Sequence, residues 1–400
     1  MGTKNLNSAT DLITFTRASG GTFLGSNGLI QTATNNEPRI EYDATGAVKG
    51  LLIEEARTNA ISTSEVALTA YSSGITKSVD SSVVSPAGGN NVEKFTLSSA
   101  NERHFFGNHN PISASSGTST YSIFAKGSGH NLIRLGMNNT AGKFSCDFNL
   151  STGQKQVTSV SDSSVTGAIE SIGNGWWRCS ITYASEKTNP YATVSLINAM
   201  DAPLLNSFLG DGTSGVYVWG SQYETGAFPT SYIPTISSTA TRAADFAQIP
   251  TSAFGYNNDK GSLVIDVLTP VGEQFISLVH FNTSSYFNSR ALWKSNSGVS
   301  AAGTDYAYAA FDSVFGASIT KFSLGQQTQA EYTKLGFSYG DNESGVRDGG
   351  TVLSGTSRYP SPTRLFLGSR DDGLQSQCHI KSIKYYPRRL TNTQLQELTT

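Results

Sequence analysis

Residues 220–245, GSQYETGAFPTSYIPTISSTATRAAD, decide how the chain divides. Just upstream, Val216 to Trp219 is apolar on both faces of an extended segment, the mark of an enclosed strand. Pro229, Pro234 and a Ser/Thr run then end the pattern, because proline removes a ladder donor and short hydroxyl residues favour turns. A closing strand followed by a stiff polar connector over 231–250 predicts one β unit on each side. The prolines are expected to restrict how those units move relative to each other.

Working outward, residues 60–230 show repeated period-two alternation. Phe144, Cys146, Phe148 and Leu150 alternate with Ser145, Asp147, Asn149 and Ser151, as a half-buried antiparallel strand requires. Ile133, Leu135 and Met137 repeat the pattern, as does the segment from Tyr121 to Lys126, with Gly, Asn and Ser turns between. Residues 251–400 carry a second such pattern: Gly261 to Val267, Leu335 to Tyr339, and a turn at Asp348-Gly349 placed for a hairpin. At the C-terminus, Thr391 offers an N-cap, Gln394 completes a capping box and Leu390 can staple onto Leu395, which predicts a short helix over 392–398. Residues 1–59 hold only short candidate strands, Ile13 to Arg17, Leu29 to Thr32 and Arg39 to Tyr42, too few for a core of their own. The expectation is an all-β chain of two tandem antiparallel jelly-roll sandwiches, with a small β-rich N-terminal segment and a short C-terminal helix.

Composition agrees. The chain has 400 residues, 40 of them glycine, and only 14% are charged, a profile that favours short strands and tight turns over long helices. With 28 basic and 30 acidic residues and no long run of either sign, electrostatics gives no case for nucleic acid or an anionic membrane. Cys146, Cys179 and Cys378 form no CxxC pair, so neither a disulfide framework nor a zinc ribbon is expected. No signal-like apolar core opens the chain and nowhere do about 18 apolar residues run together, so folding in the cytoplasm without membrane insertion is expected.

Several stretches resemble segments of tailed-bacteriophage virion structural proteins. They are the Gly-x-Gln-x-Glu-x-Gly, Phe-Pro-Thr-Ser-Tyr-Ile-Pro and Thr-Arg-x-Ala-Asp succession within 220–245, and the whole passage from Phe15 to Asn59, including Glu-Pro-Arg-Ile-x-Tyr-Asp at 37–43. Phe-Ala-Lys-Gly at 124–127 and Gly-Asn-Gly-Trp-Trp-Arg-Cys at 173–179 resemble jelly rolls of carbohydrate-binding modules. Leu365 to Gly373 and Ile380 to Leu390 resemble the last strands of concanavalin-like and laminin-G-like folds. The resemblance implies a non-enzymatic virion protein, in the tail or a tail fibre, that attaches to host-surface glycan. A capsid decoration protein is the alternative and a polysaccharide depolymerase a further one. It also implies assembly in the host cytoplasm, release by lysis, and other virion proteins and copies of itself, a trimer by preference, as partners. The leader would dock on such a partner, so removing residues 1–48 would stop assembly and leave 250–400 folded.

Chemistry is sparse. No HExxH pattern occurs, and no P-loop either, since the only Gly-Lys pair precedes Phe144. Glu41-Tyr-Asp43 is the nearest fragment to a glucanase carboxylate motif and lacks its last Glu. His104, His109, His130, His280 and His379 share no ligand spacing, and exposed strand-end histidines are the simpler reading. Asp341, Asp371 and Asp372 bring oxygen donors that could contribute to a Ca²⁺ site, though each also suits a β-turn; no other cofactor is implied. Aromatic residues give the sharpest binding expectation. Alternation from Trp176 puts Trp177, Cys179, Ile181 and Tyr183 on the core face and Trp176, Arg178, Ser180 and Thr182 on the other. An exposed Trp176 indole beside Arg178 would stack on a sugar, so Trp176→Ala is expected to weaken glycan binding without affecting stability; cover by the leader is the competing reading. Tyr306 and Tyr308 form a second candidate patch.

Overall fold

The computed structural model describes residues 12–65, 71–90, 92–107, 117–139, 142–158, 164–183, 191–270, 275–282, 289–295, 307–313, 320–326, 330–356, 361–370 and 375–400. The chain is all-β, built from antiparallel sheets stacked as jelly-roll sandwiches with one short C-terminal helix. Among the described residues no helix is long and apolar enough to cross a membrane.

The first sandwich stacks two six-stranded sheets. One is centred on Trp176–Tyr183, Ser119–Ser128 and Gly215–Thr225, the other on Gly142–Asn149, Leu132–Asn139 and Tyr191–Leu196. The alternating apolar residues meet between them: Ile133, Leu135, Phe144 and Phe148 from one sheet pack against Ile123 and Ile181 from the other. Gly215–Thr225 is buried along nearly its whole length, as its two-faced apolarity requires. Asn174 and Gly175, at φ 54° and 77°, make the tight turn that folds Thr166–Gly173 back onto Trp176–Tyr183.

The second sandwich stacks two seven-stranded sheets, one of them centred on Gly261–Leu268 between Tyr332–Tyr339 and Cys378–Tyr386. Asp348 and Gly349, at φ 46° and 66°, turn Asn342–Arg347 back toward Leu353–Thr356, the expected hairpin. The helix Asn392–Thr399 carries the capping box at Thr391 and Gln394, and Leu390 and Leu395 are buried together against Val264 and Val346.

The leader differs from expectation. It supplies strands to the second sandwich of its own chain, so residues 250–400 do not form that sandwich without it. Val48–Ile53 pairs with Cys378–Tyr386, Arg39–Tyr42 follows it at the sheet edge, and Thr14–Thr16 pairs with Phe246–Pro250 at an edge of the opposite sheet. Phe15, Leu51 and Ile53 therefore join the core that holds Ile265, Phe337 and Leu367. The physical reason is register: Leu51, Leu52 and Ile53 lie opposite Ile380, His379 and Cys378, so both faces of the added strand are covered.

Deletion of residues 1–48 removes two of these edge strands along with Arg17 and Arg39. The truncated chain is expected to lose the cooperative thermal transition of the second sandwich, followed by near-ultraviolet circular dichroism. A second sandwich that still melts as in the full chain would contradict this placement of the leader.

Candidate functional site

The faces of Trp176–Tyr183 are assigned as alternation requires, but exposure does not follow. Trp176 is 1% exposed, and its Nε1 donates to the Val84 carbonyl at 3.0 Å. It packs with Leu24, Ile172, Tyr217, Trp219 and Tyr232 in an apolar layer on the outer side of the sheet. The leader hairpin of Gly21–Leu24 and Ile30–Ala33 and the segment after Thr225 supply that cover. Trp177 is the partly buried neighbour, packed against the inner core. Trp176 is thus removed from the glycan-binding candidates. Arg178 is turned inward as well, Nη1 donating to the Thr230 carbonyl at 2.6 Å and Nη2 to Ser122 Oγ at 3.1 Å.

What closes this face is a buried cluster of charges. Asp245 accepts from Arg17 Nη1 at 3.0 Å, from Arg39 Nη2, and from the Glu54 backbone N–H at 2.9 Å. Glu54 lies 2.7 Å from Arg39 Nη1 and 2.9 Å from Arg242 Nη1, and it accepts the Ser231 N–H and hydroxyl at 2.7 Å each. Burial alone would raise the Glu54 carboxyl, but Arg242 and Arg39 outweigh it and hold the group at about 2. A second tier joins it: Glu224 accepts from the Thr230 N–H and hydroxyl, and Gln222 Oε1 accepts the Ile233 N–H at 2.7 Å. Asn59 bonds across to the Ser221 and Ile233 carbonyls. The connector 231–250 is therefore anchored at both ends, with residues 236–239 between them exposed. Tyr232, Ile233, Thr235, Arg242 and Asp245 are buried, stitched to the leader on one side and to the first sandwich on the other.

Between the sandwiches this clasp leaves a cleft of about 590 Å³, open space at its mouth included. Glu41 on Arg39–Tyr42 accepts from His379 Nε2 at 2.5 Å and from the Leu24 N–H at 3.3 Å. Lys49 lies 3.2 Å from Glu41 and 3.2 Å from Glu170, and the second of these pairs joins the two sandwiches. Burial opposes ionisation of Glu41, yet Lys49 and His379 outweigh it and hold the carboxyl well below the usual range. Burial likewise opposes the Lys49 charge, and Glu41 and Glu170 keep its proton on. A glycosidase acid needs a carboxyl shifted upward. Here Glu41 and Glu54 are both shifted downward, and Asp43, the other half of the fragment noted in the sequence, is spent on the turn amides of Thr45 and Ala47. The pairing of carboxylates that the glucanase comparison required does not assemble.

Among the described residues, the first sandwich's other outer face carries no such cover from the leader. Its register sets Tyr71, Gly107, Thr193, Gly136 and Ser145 in one row across the sheet, beside a row of Ser73, Phe105, Ser195, Arg134 and Asp147. The glycines keep the row low, since a Cβ on Gly136 would come within 2.6 Å of Thr193 Oγ1. At its rim Tyr71 is 47% exposed, its ring 5.2 Å from that of Phe105, over which the Arg103 guanidinium sits at 4.5 Å. The Arg134–Asp147 pair, bonded to the Ala202 and Pro203 carbonyls, flanks the strip. An exposed ring beside a shallow strip of hydroxyls is the arrangement that stacks on and hydrogen-bonds a sugar. Tyr71 stands alone before Ser-Ser-Gly in the sequence, and only strand pairing reveals it.

Of the remaining candidates, Tyr306, Asp371 and Asp372 lie outside the described residues, and Tyr308 falls on the strand Ala307–Ser313, whose side chains are also outside them. Asp341 is exposed at a bend, and among the described residues no three His, Cys, Asp or Glu side chains gather as a metal would need. His104 opens the strand His104–Gly107 but is buried, against the expected exposure, and bonded to the Gly74 and Phe208 carbonyls at 2.6 and 3.0 Å; His280 and His379 are buried too, while His109 lies outside the described residues. The three cysteines are buried and none is in a disulfide.

No protein-family model matches the chain, and no curated protein matches it. Among solved structures it is similar to the NanB sialidase of Streptococcus pneumoniae, at 14% identity and TM-score 0.30, over 38% of this chain and 26% of that one. It is also similar to the CBM22 tandem domain from Paenibacillus barcinonensis, at 10% identity and TM-score 0.27, over 84% of this chain and 99% of that one. Domains LG4-5 of the mouse laminin α1 chain align at 8% identity and TM-score 0.23, over 73% and 92% of the two chains.

Three outcomes check the buried assignments. Trp176→Ala is expected to destabilise the chain by about 3–5 kcal/mol in urea denaturation; an unchanged midpoint would mean that the layer over it is loose. Asp245→Ala leaves Arg17 and Arg39 buried without their shared counter-charge, at an expected cost of about 3–5 kcal/mol. Glu54 has its carboxyl lowered from 4.5 to about 2, so its contribution is complete above the higher value and is lost as pH falls toward the lower. The wild-type melting temperature should fall through that window, and Glu54→Gln should flatten the fall.

Proposed function

We propose that the chain is a non-enzymatic structural protein of a tailed-bacteriophage virion, and that its first sandwich holds host-surface glycan on the open sheet face. The observation that supports recognition over cleavage is electrostatic: the cleft carboxyls with displaced values, Glu41 and Glu54, are held ionised by neighbouring cations, so neither is a proton donor near neutral pH. Support for the virion assignment comes from where the phage-like segments sit. Arg39, Glu54, Asn59, Gln222, Glu224, Arg242 and Asp245 belong to separate resembling stretches, and all of them enter the same buried network.

In this reading Tyr71 stacks on a sugar ring while the Thr193 hydroxyl and the Arg103 side chain bond its periphery, a weak contact that repetition on a particle multiplies. Tyr71→Ala is expected to lower retention on immobilised host polysaccharide about tenfold while leaving stability within about 0.5 kcal/mol, as for an exposed residue. Unchanged retention would remove the open face from the account. Antibody labelling of purified particles tests the virion role, with signal expected on the tail; absence of the chain from the particle would overturn it, and label confined to the head would replace attachment by capsid decoration.

A further inference from the structure

We propose that the cleft between the two sandwiches is a second binding site, built for a short uncharged oligosaccharide. It lies on the opposite side of the first sandwich from the open face and shares no residue with it. Three observations carry the assignment.

Apart from Arg178, which bonds the neutral Thr230 carbonyl and Ser122 hydroxyl, the charges around the cleft are matched to one another. Lys49 is shared by Glu41 and Glu170, His379 bonds Glu41, and Glu54 is held by Arg39 and Arg242. A charged ligand would compete with these pairs, whereas a polyol can add bonds to the partly exposed Glu41, Lys49 and Glu170.

The unmet hydrogen-bonding capacity is of both signs. Arg178 Nε, a donor, and Gln377 Oε1, an acceptor, lack a partner although both residues line the cleft. Leaving such groups unpaired opposes folding, and a sugar hydroxyl both accepts and donates. The walls, finally, are mixed. Leu24, Ile30, Phe124 and Ile172 give apolar surface for the C–H face of a pyranose, beside the carboxylates that bind its hydroxyls.

The test is calorimetric titration of the full chain with maltotriose, chitotriose and a sialic acid trimer. The Tyr71→Ala variant removes the open face and isolates the cleft. It is expected to bind one of the two neutral trimers and not the acidic one, and Tyr71→Ala/Gln377→Leu is expected to bind that trimer at least tenfold more weakly. Gln377→Leu removes an acceptor with no partner, so its melting temperature should not fall, which separates loss of binding from loss of fold. The cleft assignment is overturned if the Tyr71→Ala chain binds neither neutral trimer, if it prefers the acidic trimer, or if Gln377→Leu leaves affinity unchanged. Wild-type binding that Tyr71→Ala abolishes would leave the open-face reading standing while the cleft falls. Binding indifferent to Tyr71→Ala and lost with Gln377→Leu would do the reverse.

Discussion

The carboxylate of Asp245 receives two guanidinium groups from the leader, Arg17 and Arg39, and the backbone N–H of Glu54; Glu54 in turn holds Arg39 and Arg242. Every one of these side chains is out of water. Buried charges are tolerated only when each has a counter-charge in place, so the leader, the segment through 230–245 and the strand Val48–Ile53 must arrive together. That requirement makes three stretches far apart in sequence into one structural unit, and it sets the relation between the sandwiches.

Two functional consequences follow from the same constraint. Holding the leader hairpin over Trp176 and Trp219 seals one face of the first sandwich, while among the described residues the Tyr71 face lacks that cover. Placing Val48–Ile53 in the second sandwich while its Lys49 pairs with Glu170 of the first fixes the walls of the cleft. Glu41 and Glu54 there are kept ionised by the cations beside them, so neither is poised to deliver a proton near neutral pH.

Local structure was readable where local chemistry decides it. The capping box at Thr391, the Asp348-Gly349 turn and the alternation from Phe144 to Phe148 each appear as expected, since caps, positive φ and the period of a strand are set within a few residues. Trp176 shows the limit. Alternation placed its ring on the correct face, but whether that face meets water depends on Leu24 and Tyr232, far off in the chain. The leader was likewise visible as strands without a core, and nothing local says that Leu51 lies opposite Ile380. Glu41, Lys49, Glu170 and His379 share no spacing at all; register and sandwich packing alone bring them together. The polar residues around Asp245 were legible as a recurring pattern, while their burial was not, because charged residues are rarely found fully inside.

Native-state hydrogen exchange tests the unity of the clasp most directly. If the buried charges join leader and sandwiches, the amides of Val48–Ile53, Phe246–Pro250 and Trp176–Tyr183 should exchange with one common opening free energy in the wild type. In Asp245→Ala all three should fall together. Leader amides that exchange freely in the wild type while Trp176–Tyr183 stays protected would contradict the account.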